Sequence, residues 1–61
     1  MAKSVKDGVL EALKKGDLTP FQISNRIKLP LRYVTWELSL LEEEGLAEYD
    51  FTKEKWHLKR R

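Results

Sequence analysis

The stretch that decides the fold runs from Thr19 to Gly45 and reads TPFQISNRIKLPLRYVTWELSLLEEEG. It holds two amphipathic segments, each opened by a proline, Pro20 and Pro30, with a turn of about three residues between them. Proline suits the first position of a helix and disfavours helical geometry in the residue before it, so each proline marks a helix start. The second segment runs into Gly45, which would end a helix. The stretch therefore predicts two short helices joined by a tight turn.

The start of the first of these two helices is the best specified in the chain. Thr19 is a preferred N-cap residue, and Gln22 three residues later completes the pattern of a capping box. We expect Phe21 to pack at the start of this helix and the helix to end by Lys28. The residues predicted to face inward are Ile23 and Ile27.

Two further helix predictions complete the helical part. One helix should precede this stretch, with Ser4 as its N-cap and Gly16 after its last turn. Its buried face should consist of Val5, Val9, Ala12 and Leu13. The last helix should run from Pro30 or Leu31 to Glu44, where three consecutive glutamates oppose the helix dipole with no gain visible in the sequence. Its buried face should consist of Val34, Leu38 and Leu41.

After Gly45 apolar and polar residues alternate, which is the pattern of β-strands with one buried face. The apolar positions are Ala47, Tyr49 and Phe51 before the segment 52–54, and Trp56 and Leu58 after it. We therefore predict two antiparallel strands joined by a short turn at 52–54. Because an isolated hairpin is not stable in water, the aromatic faces of both strands should cover the helices.

Length and composition limit the class of protein. A chain of 61 residues makes one small domain, residues 1–61, with a marginal core. It has no cysteine and a single histidine, His57, so we expect no disulfide, no metal and no cofactor. It has no apolar run long enough to span a membrane and no signal peptide, which favours a soluble protein of the cytoplasm.

The formal net charge of +2 is unevenly distributed. Residues 1–28 carry +3, residues 29–52 carry −5, and residues 53–61, which end in Lys59-Arg60-Arg61, carry +4. A basic end on a small domain suggests a polyanion as partner. The alternative is a solvated tail that keeps the protein soluble, and composition alone does not decide between the two.

Three helices followed by a hairpin, in this order and size, resemble the winged helix-turn-helix family over nearly the whole chain. The segment most similar to that family is VTWELSLLEEEGL, residues 34–46, at the passage from the recognition helix to the wing. The resemblance implies an α+β, mainly α fold: a three-helix winged helix-turn-helix with a C-terminal two-stranded β-hairpin wing. It also implies binding to double-stranded DNA, with the helix 31–44 in the major groove and a basic wing on the backbone. The same scaffold also serves as a protein-interaction module.

One subfamily, the domains that bind left-handed Z-DNA, has a similar spacing from a proline to a glycine and a late tryptophan followed by a basic residue. Pro30, Gly45 and the segment 56–58 resemble these features. The asparagine and tyrosine with which that subfamily contacts DNA would fall at Thr35 and Ser39, and its pair of wing prolines is absent. These departures argue against Z-DNA as the ligand.

A turn of about 100° per residue places one set of side chains of the last helix away from the core. These side chains belong to Arg32, Thr35, Trp36, Ser39 and Glu43. Arg32 could pair with guanine or phosphate, while Thr35 and Ser39 could hydrogen-bond bases or phosphates, or be ordinary helix surface. Phosphate contacts are predicted beside this helix and along the wing, for Asn25, Arg26, Lys28, Lys53 and Lys55. Glu37 and the run 42–44 would repel DNA if they faced it.

Trp36 stands where the family often has an arginine. With Tyr33 and Leu40 it forms a second apolar stripe beside the core stripe. Three explanations are open for it: additional core against the first helix or the hairpin, an interface with another protein, or contact with DNA sugars and methyl groups.

The sequence shows no Ser-His-acid set, no phosphate-cradling glycine loop and no convergent carboxylate pair, so we expect no enzyme. His57 should face outward from its strand as ordinary surface. The leading hypothesis is a small transcriptional regulator that binds DNA as a monomer. The second hypothesis is a winged-helix module that binds a protein through Tyr33, Trp36 and Leu40.

Overall fold

Five elements follow one another in the computed structural model, which describes residues 4–59. The helices are α1 (Val5–Lys14), α2 (Pro20–Ile27) and α3 (Leu31–Glu43), and the strands are β1 (Ala47–Asp50) and β2 (Lys55–Leu58). This confirms the predicted order of three helices and a C-terminal hairpin and the mainly helical fold class. Arg60 and Arg61, predicted as part of a basic tail, lie outside the described residues.

The helix ends follow from caps that the sequence indicates. The side chain of Ser4 caps the N terminus of α1. Thr19 Oγ1 accepts a hydrogen bond from the Gln22 backbone N–H at 3.1 Å, and Gln22 Oε1 accepts one from the Thr19 N–H at 2.9 Å. The predicted capping box is therefore present. Helix α3 ends at Glu43 with Glu44 as its C-cap, one residue earlier than predicted, which is within the fraying of a helix end.

One apolar core holds the helices and the hairpin together. Its fully buried residues are Val9, Ala12, Leu13, Ile23, Val34, Leu38, Leu41 and Ala47, and Val5, Ile27, Trp56 and Leu58 pack against them half-buried. Helix α1 contacts both other helices and β2, while α3 contacts β1. Because α3 turns one face to this core, its opposite face is open to solvent.

The hairpin pairs antiparallel, and Asp50 lies opposite Lys55 at the end of the ladder. The link between the strands, residues 51–54, is one residue longer than predicted. Asp50 ends β1 because its Oδ1 accepts hydrogen bonds from the backbone N–H groups of Thr52 at 2.9 Å and Lys53 at 3.2 Å. Such a side-chain turn competes with continuation of the strand.

Two aromatic side chains that we expected to pack do not. Phe51 lies in the loop after β1 and is 84% exposed, because the turn at Asp50 ends the strand before it. Phe21 is 68% exposed. Ile23 takes the inward position of α2, and Phe21, two residues earlier, is turned about 200° around the helix from it.

The link between α1 and α2 takes part in the sheet, which the sequence did not predict. The Leu18 N–H donates to the Trp56 carbonyl at 3.1 Å, and the Trp56 N–H donates to the Leu18 carbonyl at 2.7 Å. Together these bonds form an isolated β-bridge. Strand β2 is thus hydrogen-bonded on both sides, and the hairpin is tied to the residues that enter α2.

The glutamates that oppose the dipole of α3 include one with a partner on another helix. Glu44 Oε1 lies 3.0 Å from Lys6 Nζ of α1. The hydrogen bond and the negative charge of Glu44 raise the pKa of Lys6. Both side chains are exposed, so the pair contributes little to stability, but it neutralises one of the acidic charges at this end of α3.

Candidate nucleic-acid interface

The side of α3 opposite the core is open over its whole length. All five residues predicted to lie there are exposed: Arg32, Thr35, Trp36, Ser39 and Glu43. We call this set the outward face of α3. Trp36 is 70% exposed, so the explanation of this residue as additional core is wrong. The core stripe fills the space against α1 and the hairpin, and Trp36 lies outside it.

Trp36 is part of an exposed apolar stripe, as the alternatives of a protein interface or a DNA contact require. Tyr33 is 47% exposed and Leu40 is 38% exposed. The Arg32 guanidinium carbon lies 5.5 Å from the centroid of the Tyr33 ring, within the range of a cation–π contact. This contact favours one position of the arginine at the start of α3.

The hydroxyl of Thr35 is committed as a donor. Its Oγ1 donates to the Arg32 carbonyl at 3.1 Å, which leaves the lone pairs of the oxygen as acceptors on an exposed side chain. Thr35 can therefore accept a hydrogen bond from an amino group of adenine or cytosine in a major groove.

Of the predicted phosphate-contact residues at the C-terminal end of α2, Lys28 lies in the turn that leads to α3, whereas Arg26 lines the cleft between α1 and α2. Ser24 closes this turn, because its Oγ donates to the Leu29 carbonyl at 2.6 Å and its own carbonyl accepts from the Leu29 N–H at 3.2 Å. Lys28 holds the left-handed conformation, with φ of 60°. The exposed polar residues at this end of α2 are Asn25, Arg26 and Lys28.

The two hairpin lysines differ in their acidic neighbours. Lys53 Nζ is 3.7 Å from Asp17 Oδ2, and Lys55 lies opposite Asp50 on the face of β2 that points away from Trp56. The Lys53 and Thr52 backbone N–H groups and the Lys53 charge lower the pKa of Asp50. The exposed pair of Lys53 and Asp17 is weak, and none of the ion pairs described for residues 4–59 includes Lys55, so both lysines can still bind a phosphate.

Charge is segregated along α3. Its N-terminal end carries Arg32 and adjoins the basic end of α2, whereas its C-terminal end carries the exposed Glu42 and Glu43. Glu44 is paired with Lys6 of α1. A polyanion would therefore meet α3 at its first two turns and avoid its last turn.

His57 lies on the outer face of β2, as predicted, but it is half-buried and has neighbours. Its Nε2 is 3.6 Å from Glu48 Oε1 of β1, and its Nδ1 is 3.1 Å from the Leu58 carbonyl oxygen. Within residues 4–59 no group of three or more histidine and acidic side chains is placed to hold a metal ion. None of the helices described for this chain has the length and apolar composition to cross a membrane.

One exposed aromatic residue of the hairpin was missed as a candidate contact. The Phe51 ring meets Tyr49 edge-on at 4.9 Å between centroids, and Tyr49 meets Trp56 at 5.6 Å. The three rings therefore form a row, and its outer ring, Phe51, lies in the loop that also contains Lys53. The side-chain turn at Asp50 is the signal that could have placed Phe51 in the loop.

No protein-family model and no curated protein matches the sequence. Among solved structures, the chain is similar to the Zbeta domain of human DAI, whose solution structure was described with its binding modes to B- and Z-DNA. The TM-score is 0.83, the sequence identity is 16%, and the match covers 98% of this chain and 90% of the other. The three helices, the hairpin and this likeness show that the chain has the winged helix-turn-helix fold.

Proposed function

We propose that this protein is a small transcriptional regulator that binds duplex DNA with α3 in the major groove. The observation that carries the proposal is the outward face of α3, where Arg32 and Thr35 are exposed on the first two turns beside the basic end of α2 and Ser39 is exposed on the next turn. In helix-turn-helix proteins the N-terminal residues of the recognition helix contact base edges. The acidic C-terminal turn of α3 would then lie away from the DNA.

Each remaining residue has a role in this proposal. Asn25, Arg26 and Lys28 contact phosphates on one side of α3, and Lys53 and Lys55 contact them from the hairpin. Trp36 packs on sugars and thymine methyl groups, where its exposed ring loses water. This division assigns sequence readout to α3 and positioning to the residues around it.

The likeness to the Zbeta domain supports duplex DNA as the class of ligand, since that domain of the same fold was described with B- and Z-DNA. Thr35 and Ser39 lack the asparagine amide and the tyrosine ring with which Z-DNA domains contact their ligand. We therefore assign a right-handed duplex to this chain. We also infer that the 61 residues act as one domain, as a monomer in the cytoplasm, by binding and not by catalysis.

Fluorescence anisotropy with a random right-handed duplex and with a duplex held left-handed, at low and moderate salt, tests the ligand. Selection from a random library supplies a preferred site. Arg32→Ala should cost about 1–3 kcal/mol on that site if the arginine reads a base. Lys6→Gln, which removes a positive charge on α1 away from the outward face, is the matched control.

The outcomes separate the roles of Arg32. An equal loss on every duplex would make it a phosphate anchor only, and an affinity equal to wild type on every duplex would contradict the placement of α3. Tighter binding to the left-handed duplex would contradict the assignment to right-handed DNA.

A second candidate function is favoured by the exposed stripe of Tyr33, Trp36 and Leu40. A winged helix that serves protein assembly would bury this stripe against its partner, and the acidic end of α3 would not hinder it. If no duplex binds at low salt, this module function replaces DNA binding.

A further inference from the structure

The lysines and arginines of residues 4–59 differ in whether an acidic residue is described as their partner. Lys6 and Lys53 are paired with Glu44 and Asp17, and Lys55 lies opposite Asp50. None of the ion pairs described within residues 4–59 includes the remaining lysines and arginines: Lys14, Lys15, Arg26, Lys28, Arg32 and Lys59. Arg26, Lys28 and Arg32 lie at the proposed DNA site, and the other three do not.

The fold brings those other three lysines together from opposite ends of the chain. Lys14 and Lys15 end α1, Lys59 follows β2, and all three line one open groove of about 660 Å³. Leu13, which is buried, forms part of its lining, and the Lys59 N–H donates to the Leu46 carbonyl at 3.0 Å. We call this site the basic groove.

The two other ionisable groups of the groove do not cancel its charge. Asp17 brings one negative charge against three lysines, and its carboxylate lies 3.7 Å from the Lys53 ammonium. His57 lies beside Glu48, at 3.6 Å. The three lysines outnumber the one acidic side chain of the lining, so the groove has a net positive charge, which attracts anions.

The basic groove is separate from the outward face of α3. Residues of α1, of the link after α1 and of the end of β2 line it, and none of α2 or α3 does. Lys59 lies at the end of β2 away from the loop 51–54, which puts four strand residues, about 13 Å, between them. Lys15 also borders the cleft between α1 and α2, so the groove ends beside α2.

The helix dipole accounts for part of this cluster. Lysines in the last turn of α1 are stabilised by its negative end, and Lys14 and Lys15 would be favoured there without any ligand. Lys59 follows β2 and lies on no helix, so the dipole gives no reason for it. The convergence of Lys59 with the two helix lysines is what points to a ligand.

We propose that the basic groove binds the phosphate backbone of a second nucleic-acid segment, so that one copy of the chain holds two duplexes. This proposal rests on the proposed function for the first duplex, bound by α3. Lysines are flexible point charges that suit a row of phosphates, whereas tight capture of a small anion is typical of arginine forks or backbone N–H groups. The open shape of the groove admits a continuing chain.

Energy transfer between two duplexes of the same random sequence, one with a donor dye and one with an acceptor, tests this directly. With wild-type protein, energy transfer should be greatest near an equimolar ratio of protein to duplex. It should decline in excess protein, because each duplex is then bound by its own copies of the protein. The triple variant Lys14→Gln, Lys15→Gln, Lys59→Gln should lose the transfer and keep its binding to a single duplex through α3. Sedimentation should show that the protein stays monomeric, which excludes joining of duplexes by a protein dimer.

Single substitutions supply a matched control on the same helix. Lys15→Gln and Lys6→Gln remove one charge each from α1, and only Lys15 lines the groove. Lys15→Gln should weaken the transfer and Lys6→Gln should not. Thermal melting of each variant shows that it is folded. For each phosphate that the groove no longer neutralises, the salt dependence of the transfer should flatten by about 0.9 units of log K per log salt.

Several results would overturn the proposal. One is the absence of energy transfer with wild-type protein at a salt concentration at which it binds a single duplex. Another is energy transfer by the triple variant equal to that of the wild type. A third is an equal loss of energy transfer in Lys6→Gln and Lys15→Gln. A rise in melting temperature with inorganic tripolyphosphate, abolished in the triple variant and without energy transfer, would assign the groove to small anions. Failure of the α3 proposal is distinct, because Arg32→Ala would then leave single-duplex affinity unchanged while the triple variant abolishes it.

Discussion

At the scale of single residues, Lys28 is held in a conformation that a glycine would adopt at lower cost. Its φ of 60° lies in the left-handed region, which costs a residue with a side chain about 1 kcal/mol, and helix-turn-helix turns often contain glycine. The Lys28 N–H donates to the Ser24 carbonyl at 2.9 Å, so the turn itself needs only the backbone. We infer that the lysine is kept for its charge at the start of α3.

Lys28→Gly should therefore raise stability and weaken DNA binding together. We expect a gain of up to about 1 kcal/mol in the free energy of unfolding, because the strain at this position is relieved. The affinity for every duplex should fall, with a salt slope flatter by about one phosphate contact. Urea unfolding and anisotropy titrations measure the two effects.

Lys28→Asn serves as the control, because asparagine tolerates the left-handed conformation and lacks the charge. It should lose the same affinity as Lys28→Gly. If both variants bind DNA as wild type does, Lys28 has no part in binding and its conformation is only a tolerated strain.

At the scale of elements, the Asp50 side chain accepts the two hydrogen bonds that shape the start of the hairpin loop. The backbone N–H groups of Lys53 and Thr52 and the charge of Lys53 hold the pKa of Asp50 below its ordinary value of 3.8. A carboxyl whose pKa is lower in the folded protein than in the unfolded chain stabilises the fold above the unfolded pKa. That contribution is lost as the pH falls through the folded pKa.

We predict that the melting temperature of the wild type falls more steeply below pH of about 4 than that of Asp50→Ala, which has already lost the interaction. An NMR titration of the Asp50 carboxyl carbon should give a pKa below 3.8. Asp7→Ala is the control for a carboxylate outside the loop. Parallel acid profiles for wild type and Asp50→Ala would show that the loop does not depend on this charge.

The hairpin lysines test whether the wing takes part in binding. Charge reversal by Lys53→Glu and Lys55→Glu should weaken binding to all duplexes alike and flatten the salt slope by about 0.9 units for each phosphate that is no longer neutralised. The effect should be uniform because phosphate contacts carry no sequence information. A slope unchanged from wild type would remove the hairpin from the DNA interface.

At the scale of the whole molecule, the exposed Trp36 is the residue that tests whether the protein is a free monomer or is bound to another protein. A symmetric contact through Tyr33, Trp36 and Leu40 would bury the outward face of α3 and compete with DNA. We therefore expect a monomer by sedimentation. Trp36→Ala should change the free energy of unfolding by no more than about 0.5 kcal/mol, since the exposed ring leaves no cavity.

Two results would contradict this expectation. A loss of about 3–5 kcal/mol in stability would mean that Trp36 is packed in solution. A dimer that dissociates in Trp36→Ala while the monomer stays folded would assign the stripe to a protein interface. Tyr33→Phe, which keeps the ring and removes only the hydroxyl, is the control for the stripe.

The local part of the fold could be predicted because it depends on short-range chemistry. The capping box of Thr19 and Gln22, the stop at Gly45 and the spacing of the buried residues of α3 follow from neighbours within about four positions along the chain. The same periodicity placed Arg32, Thr35, Trp36 and Ser39 away from the core stripe, but it left open whether Trp36 packs as additional core against α1 or the hairpin. Their role in DNA binding stays a prediction.

The sequence by itself determined the helices, their buried faces, the hairpin and the side of α3 that is open to solvent, because each depends on local hydrogen bonds and periodicity. Only the tertiary structure decided that Leu18 joins the sheet, that Phe51 leaves it, and that Trp36 is not core. It also decided that Lys59 meets Lys14 and Lys15 in one groove. These outcomes depend on contacts between residues far apart in the chain, or on one side chain ending a strand, and neither follows from a repeating pattern.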